Sequence, residues 1–166
     1  VLREEKYIRA AEDAIRFELE AYSEKIHTWH DLRTYPPVGY MHGYCSGAPG
    51  IGIMLERIRK MGYESEELEK CTIFARKSID RLPLNARDHL CCGNSAVAEY
   101  YMTAGRFDET GRVLSAMRER SLKAGKYRYM GYDFHNGVTA SLFYGASGIG
   151  YEMLRYACPE KIISVI

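Results

Sequence analysis

What this sequence has least of is net charge. Lys and Arg number 23 against 22 Asp and Glu, so no overall field draws the chain onto a polyanion. That argues against nucleic acid, and against a charged membrane surface, as a partner. No apolar run approaches the length that spans a bilayer. The opening stretch "VLREEKYIRAAEDAIRF" carries neither an initiator Met nor a signal peptide. It reads as the middle of a helix, as expected of a piece excised from a longer protein. Runs of alternating apolar and polar residues, the mark of a strand, are missing too. So is the spacing of a secreted disulfide framework: the five cysteines are an odd count. A reducing cytosol is the expected compartment, and there clustered cysteines serve as metal ligands or catalytic groups more often than as cystines.

What is present is helical periodicity in a chain of one-domain size, 166 residues, with 46% apolar and 27% charged residues. Ile8, Ala11, Ile15, Leu19 and Tyr22 step by three and four and predict a first helix over 3–24. Ile51, Leu55, Ile58 and Met61 predict a second over 49–61, closed by Gly62. Ser65 is placed to cap a third, with Leu68, Ala75, Ile79 and Leu82 as its stripe and Pro83 as its stop. Shorter helices follow over 94–104, 107–123 and 147–157, the last stopped by Pro159. The expected fold class is all-α.

A repeat runs through these helices. "GAPGIGIML" (47–55), "GNSAVAEYY" (93–101) and "GASGIGYEM" (145–153) share one pattern of glycine, small residues and a β-branched apolar residue. They recur at intervals of 46 and 52 residues, each opening a helix after a longer loop. One helical hairpin per unit at that period predicts a toroid or helical array. Small residues let neighbouring helix starts approach closely.

The repeat also gives the cysteines an address. Cys45 stands two residues before the first repeat glycine, Cys91 and Cys92 directly before the second, and Phe143 and Tyr144 before the third. A bond between Cys91 and Cys92 themselves would close a strained eight-membered ring. The pair can otherwise be a metal clip, a reactive pair or two small apolar core residues. If equivalent loop ends meet, Cys45, Cys91 and Cys92 come together. Three thiolates then bind zinc tetrahedrally, at about 2.3 Å, and leave one position open, the pattern of a catalytic site. Such a soft site takes a further thiol readily and holds it as thiolate. His42 and His89, each three residues before a cysteine, are candidates for a fourth ligand, a proton donor or a supporting partner of the site, or are simply loop residues. Cys71 and Cys158 read as packing residues. Nothing in the spacing of His27, His30 or His135 recommends them, and "KYRYMGYDFHNG" (126–137) is a packed loop or the wall of a peptide groove.

"GYCSGAPGIG", "HLCCGNSA" and "LFYGASGIGYEMLRYACPEKIISVI", in this order and at these separations, resemble the C-terminal half of the LanC-like lanthionine cyclases. The likeness is to the cyclase domain of class II lanthipeptide synthetases, the bifunctional LanM type, and "HTWHDLRTYP" is similar to the loop before that family's first cysteine motif. The resemblance implies an α/α-toroid, present here as roughly half, with one zinc held by Cys45, Cys91 and Cys92. It implies that precursor-peptide Cys thiolates add to dehydroalanine or dehydrobutyrine, forming lanthionine or methyllanthionine. It further implies a missing N-terminal half, since the family's upstream "HG" motif and its dehydration domain have no counterpart here. Tyr44 and Ser46 stand where the family has Trp and His or Tyr, and Ala96 where a Gly is frequent.

Two other readings compete. In one, a metal pins the loops of a non-catalytic helical scaffold that grips a peptide. In the other, an α/α-barrel glycosidase uses Asp88 and Asp133, although no spacing unites those acids for a two-carboxylate mechanism. Half a toroid also exposes an interior, so self-association is expected.

Overall fold

The computed structural model describes residues 4–33, 35–37, 39–129 and 139–166. Six helices carry the described chain: α1 (Glu5–Ala21), α2 (Ala48–Lys60), α3 (Glu66–Arg81), α4 (Asn94–Thr103), α5 (Phe107–Ala124) and α6 (Ala146–Ala157). The all-α expectation holds, and the local signals act where the sequence put them. Ser65 accepts a hydrogen bond from the Leu68 amide and so caps α3. Gly62 follows α2 in the left-handed conformation that suits glycine after a helix end. Leu82, extended ahead of Pro83, closes α3.

The first helix is shorter than its periodicity predicts. It stops at Ala21, and Tyr22–Ser23 pairs antiparallel with Thr28–Trp29. Aromatic packing overrides the helical stripe here. Trp29 is buried and its indole N–H donates to the Glu18 carbonyl at 2.8 Å. The Tyr22 ring stacks on Phe74 of α3 at 4.1 Å and meets Trp29 edge-on at 5.0 Å. A short hairpin therefore replaces the last helical turn.

The helices form two layers. In one, α2 packs on α4 and α4 on α6; in the other, α1 packs on α3; α3 lies behind α2 and α5 behind α4. The repeat glycines Gly47, Gly93 and Gly145 stand immediately before α2, α4 and α6, so the three helices of the first layer are structural equivalents. Their loops are also hydrogen-bonded in sequence. The Cys45 amide donates to the Cys91 carbonyl at 3.3 Å, and the Cys91 amide donates to the carbonyl of Phe143 at 2.9 Å. Equivalent residues of successive repeats are thus joined, which holds the helix starts at one end of the layer.

Close approach explains the small residues. A Cβ on Gly50 would lie 1.9 Å from the Tyr44 carbonyl oxygen, and one on Gly148 as close to that of Leu142. Gly50→Ala is expected to cost about 2 kcal/mol through overpacking against backbone, read as a lower urea midpoint at unchanged slope. An unchanged midpoint would show that the loop yields freely.

Candidate metal centre

The site is built where the first two repeat loops cross. A Cβ on Gly43 would lie 2.5 Å from the Cys92 Cα and 2.7 Å from the Cys91 carbonyl oxygen, so only glycine lets the first loop lie on the vicinal pair. Above that crossing the Tyr44 amide donates to the Cys91 carbonyl at 2.7 Å. Cys91 and Cys92 precede the first residue of α4 and sit in a turn. Their side chains are therefore not splayed as they would be on a helix.

This crossing brings three sulfur atoms together. Cys45 Sγ lies 2.8 Å from Cys92 Sγ, and Cys91 Sγ lies 3.4 Å from Cys92 Sγ. All three lie within 4.8 Å of one another. No disulfide joins them. Cys91 and Cys92 are buried, whereas Cys45 is exposed at the end of a groove of about 810 Å³ between α1, α2 and the Trp29–Arg33 segment. The cluster is enclosed on its protein side and open on one other.

A buried polar network holds the vicinal pair. Asn85 donates its side-chain N–H to the Cys92 carbonyl at 2.9 Å, while its backbone amide donates to Asn94 Oδ1 at 2.6 Å. The Asn94 side chain donates in turn to Asp88 Oδ1 at 3.0 Å, and the Arg128 amide to Asp88 Oδ2 at 3.0 Å. Arg120 of α5 pairs with the same carboxylate. Asp88 is buried, so this pairing is needed to keep its charge compensated. Asp88→Ala should cost roughly 3 kcal/mol of stability, because Arg120 is left beside an apolar gap, and should lower metal affinity about 10-fold by loosening Cys92. Full metal affinity in a folded Asp88→Ala protein would show that the network does not position the cysteine.

Burial and sulfur–sulfur hydrogen bonds shape the thiols' acidity. Burial pushes the Cys92 thiol up, and it and the hydrogen bond to Cys45 leave that thiol well above its ordinary range. Cys91 is also raised, chiefly by burial. Burial acts upward on Cys45 as well, but hydrogen bonds from Cys92, Cys91 and Ser46 outweigh it and bring this thiol below its ordinary value. One negative charge therefore settles most readily on the exposed sulfur. The Arg33 guanidinium, paired with Asp31, feels the charge of Cys45 and Cys92.

The two histidines flank the sulfurs without joining them. His89 is fully buried and its Nδ1 accepts the Cys92 amide at 3.2 Å, which makes it a support of the loop. His42 is also buried, with Nδ1 unpartnered, and it lines with Cys92 a cleft of about 460 Å³. Burial lowers both imidazoles, His42 to about 4, and both are neutral at pH 7. Cys71 sits in the core on α3, its thiol pushed up to about 12 by burial. Cys158 is half-buried at the end of α6. His135 and Asp133, and most of the tyrosine-rich stretch, fall outside the described residues. Asp88, the other acid of the glycosidase reading, is committed to Arg120 and Asn94.

Sequence reasoning missed Tyr144. It stands where the other repeats carry Ser46 and Cys92, and its hydroxyl is pushed up chiefly by negative charge on Cys91 and by a hydrogen bond to it. The third repeat thus supplies a phenol to the sulfur cluster. Gly43, Asn85 and Arg120 were missed as well, since nothing in their spacing marks them.

The model of the lanthionine synthetase C-like protein family matches residues 1–165. The chain belongs to this family. No curated protein sequence matches it. A LanC-like chain is of the lanthionine synthetase type of cyclase, and in this one the three cysteines of the repeat loops form a group that could hold a metal ion. No helix among the described residues is long and apolar enough to cross a membrane.

Proposed function

We propose that this chain is the metal-bearing, C-terminal half of a class II lanthionine cyclase domain, and that Cys45, Cys91 and Cys92 hold its zinc. The observation that carries the reading is the meeting of three thiols, 46 and 47 residues apart along the chain, at the end of an open groove. The donor set fits the ion: soft sulfur ligands, three in number, with one side left for a fourth. Sulfurs around a tetrahedral zinc sit about 3.8 Å apart, given bonds of about 2.3 Å, so small rotations of the cysteine side chains suffice. When bound, zinc supplies a Lewis acid that keeps an incoming thiol ionised at neutral pH.

The remaining work falls to the chain's own residues. The groove wall from α1 and α2 receives the dehydrated precursor peptide, and the exposed face of Cys45 sets where its thiol enters. Asn85 and His89 fix Cys92 and so fix the direction of approach. A carbon–sulfur bond forms between the peptide thiolate and the β-carbon of dehydroalanine or dehydrobutyrine, and the α-carbon then takes a proton. Tyr144, a phenol that keeps its proton at neutral pH, borders the sulfurs from the third loop and is the group we assign to deliver that proton, whereas His42, a neutral imidazole at pH 7, is not.

The test is zinc content together with chemistry. The reduced chain should carry one zinc per protein, and Co(II) in its place should give thiolate charge-transfer bands. A dehydrated precursor supplied in trans should lose free thiol faster with the chain than without it. Stoichiometric metal with no acceleration would instead mark a scaffold. Less than half an equivalent of zinc would sink the ligand assignment.

A further inference from the structure

We infer that the Arg33 guanidinium is an anion subsite at the mouth of the thiol cluster, and that it takes the carbonyl oxygen of the dehydro residue as that oxygen becomes an enolate. Arg33 and Cys45 line the same groove. Among the described residues of that lining, Arg33 is the one side chain with a permanent positive charge, set in mostly apolar walls.

The guanidinium is both held and free to bind. Asp31 grips it side-on, Nε donating to Oδ1 at 2.8 Å and Nη2 to Oδ2 at 2.6 Å. The Arg33 amide also donates to Oδ1, at 3.2 Å. Such a fork removes much of the freedom of a long side chain. Asp31 is fixed in turn, its amide donating to the Gly39 carbonyl at 3.2 Å. The pair is lopsided: the Asp31 side chain is 16% exposed and that of Arg33 63%. Its positive end therefore faces outward. Nη1 has no protein partner among the described residues, which leaves its two N–H groups for a ligand.

The addition creates an anion where such a group is needed. Three cysteine thiolates outweigh a divalent ion by one charge, and a peptide thiolate adds a second. When that sulfur bonds to the β-carbon, the π pair of the C=C bond moves toward the carbonyl and its oxygen becomes negative. This charge arrives beside an already anionic site. Arg33, which feels the charge of both Cys45 and Cys92, offsets it. Tyr144 meets the cluster from the side of Cys91. The acceptor then lies between a cation for its oxygen and a phenol for its α-carbon. The α-carbon takes the phenol's proton, the carbonyl re-forms, and Tyr144 recovers a proton from water, to which the peptide thiol has already given its own.

The enolate role rests on the cyclase reading, whereas the cationic subsite does not, and the two are tested apart. In the metal-free reduced chain, peptide mapping of Cys45 compares alkylation by iodoacetate with that by iodoacetamide. At low salt the parent should favour iodoacetate about 5-fold more than a free cysteine peptide does, and Arg33→Gln should erase that preference. Arg33→Lys should keep it. In the zinc-loaded chain with a dehydrated precursor, Arg33→Gln should lower kcat about 100-fold and leave KM nearly unchanged, the mark of a contact made in the transition state. Arg33→Lys, which keeps the charge without the fork, should recover part of the loss. Melting and zinc content should match the parent's in both variants, because the side chain is exposed. A parent whose alkylation ratio equals that of the free peptide, or Arg33→Gln with parental kcat, would overturn the inference. An alkylation preference in a chain with neither zinc nor turnover would support the subsite and overturn the cyclase reading, and the enolate role with it.

Discussion

Cys45→Ala should lower zinc affinity by on the order of a hundred-fold while leaving the fold in place. The two loops are joined by backbone bonds at Tyr44 and Cys45 that do not use the thiol, and Cys45 is the exposed member of the cluster, so its truncation leaves no buried cavity. Protein zinc sites of four ligands bind with roughly 10–16 kcal/mol at pH 7, on the order of 3 kcal/mol per ligand. Loss of one sulfur therefore lowers affinity by on the order of a hundred-fold or more, and thiol-addition activity falls with it. Cys71→Ala is the control. Its thiol is buried on α3, away from the cluster, so it should destabilise the core and leave metal content unchanged. The pH dependence has a definite sign. Cys91 and Cys92 are raised and remain protonated at pH 7 without metal, while Cys45 is lowered. Binding must displace at least the protons of the first two, so the logarithm of affinity should climb by about 2 to 3 per pH unit near neutrality. A flat profile, or a zinc affinity in Cys45→Ala equal to the parent's, would remove the cluster from its assigned role.

The part of this site that was legible in the sequence is the part that repeats. Glycine and small residues at a fixed period located three equivalent helix starts, and equivalence alone placed Cys45 beside Cys91 and Cys92. The helices were legible for the same reason, since their stripes and stops obey local rules. Non-repeating contacts carried no such signal. The Tyr22–Trp29 hairpin depends on Phe74, which is distant along the chain. Asn85 and Arg120 act through Asn94 and Asp88 across the packing of α4 and α5. Tyr144 was visible only as a missing cysteine, because ligand spacing says nothing about a phenol. Ala96 stands in the repeat whose loop is held by the Asn85–Asn94–Asp88–Arg120 side-chain network. Small residues at Gly50 and Gly148 do the equivalent work elsewhere by close approach.

Glu152→Gln should stabilise the protein at alkaline pH and leave it nearly unchanged under acid conditions. Glu152 holds in α6 the place that Tyr100 holds in α4, seven residues after the repeat glycine. It is fully buried, and neither carboxylate oxygen has a hydrogen-bond partner among the described residues. Burial raises its pKa to about 8, from 4.5 when unfolded. Between those values the folded chain keeps a proton that the unfolded chain gives up, so stability falls as pH rises across the window and the full benefit is present only below it. The difference corresponds to roughly 3 to 5 kcal/mol by pH 8, a large share of a small domain's stability. A glutamine of the same shape carries no such titration, so urea midpoints of the two proteins should converge near pH 5 and separate steadily towards pH 8. Equal slopes would mean that a cation reaches this carboxylate in solution. The consequence extends to the thiols, because α6 begins at the loop whose Phe143 carbonyl anchors the Cys91 amide. An ionised Glu152 loosens the seam that seats that loop, so metal retention at alkaline pH should improve in the glutamine variant along with the fold.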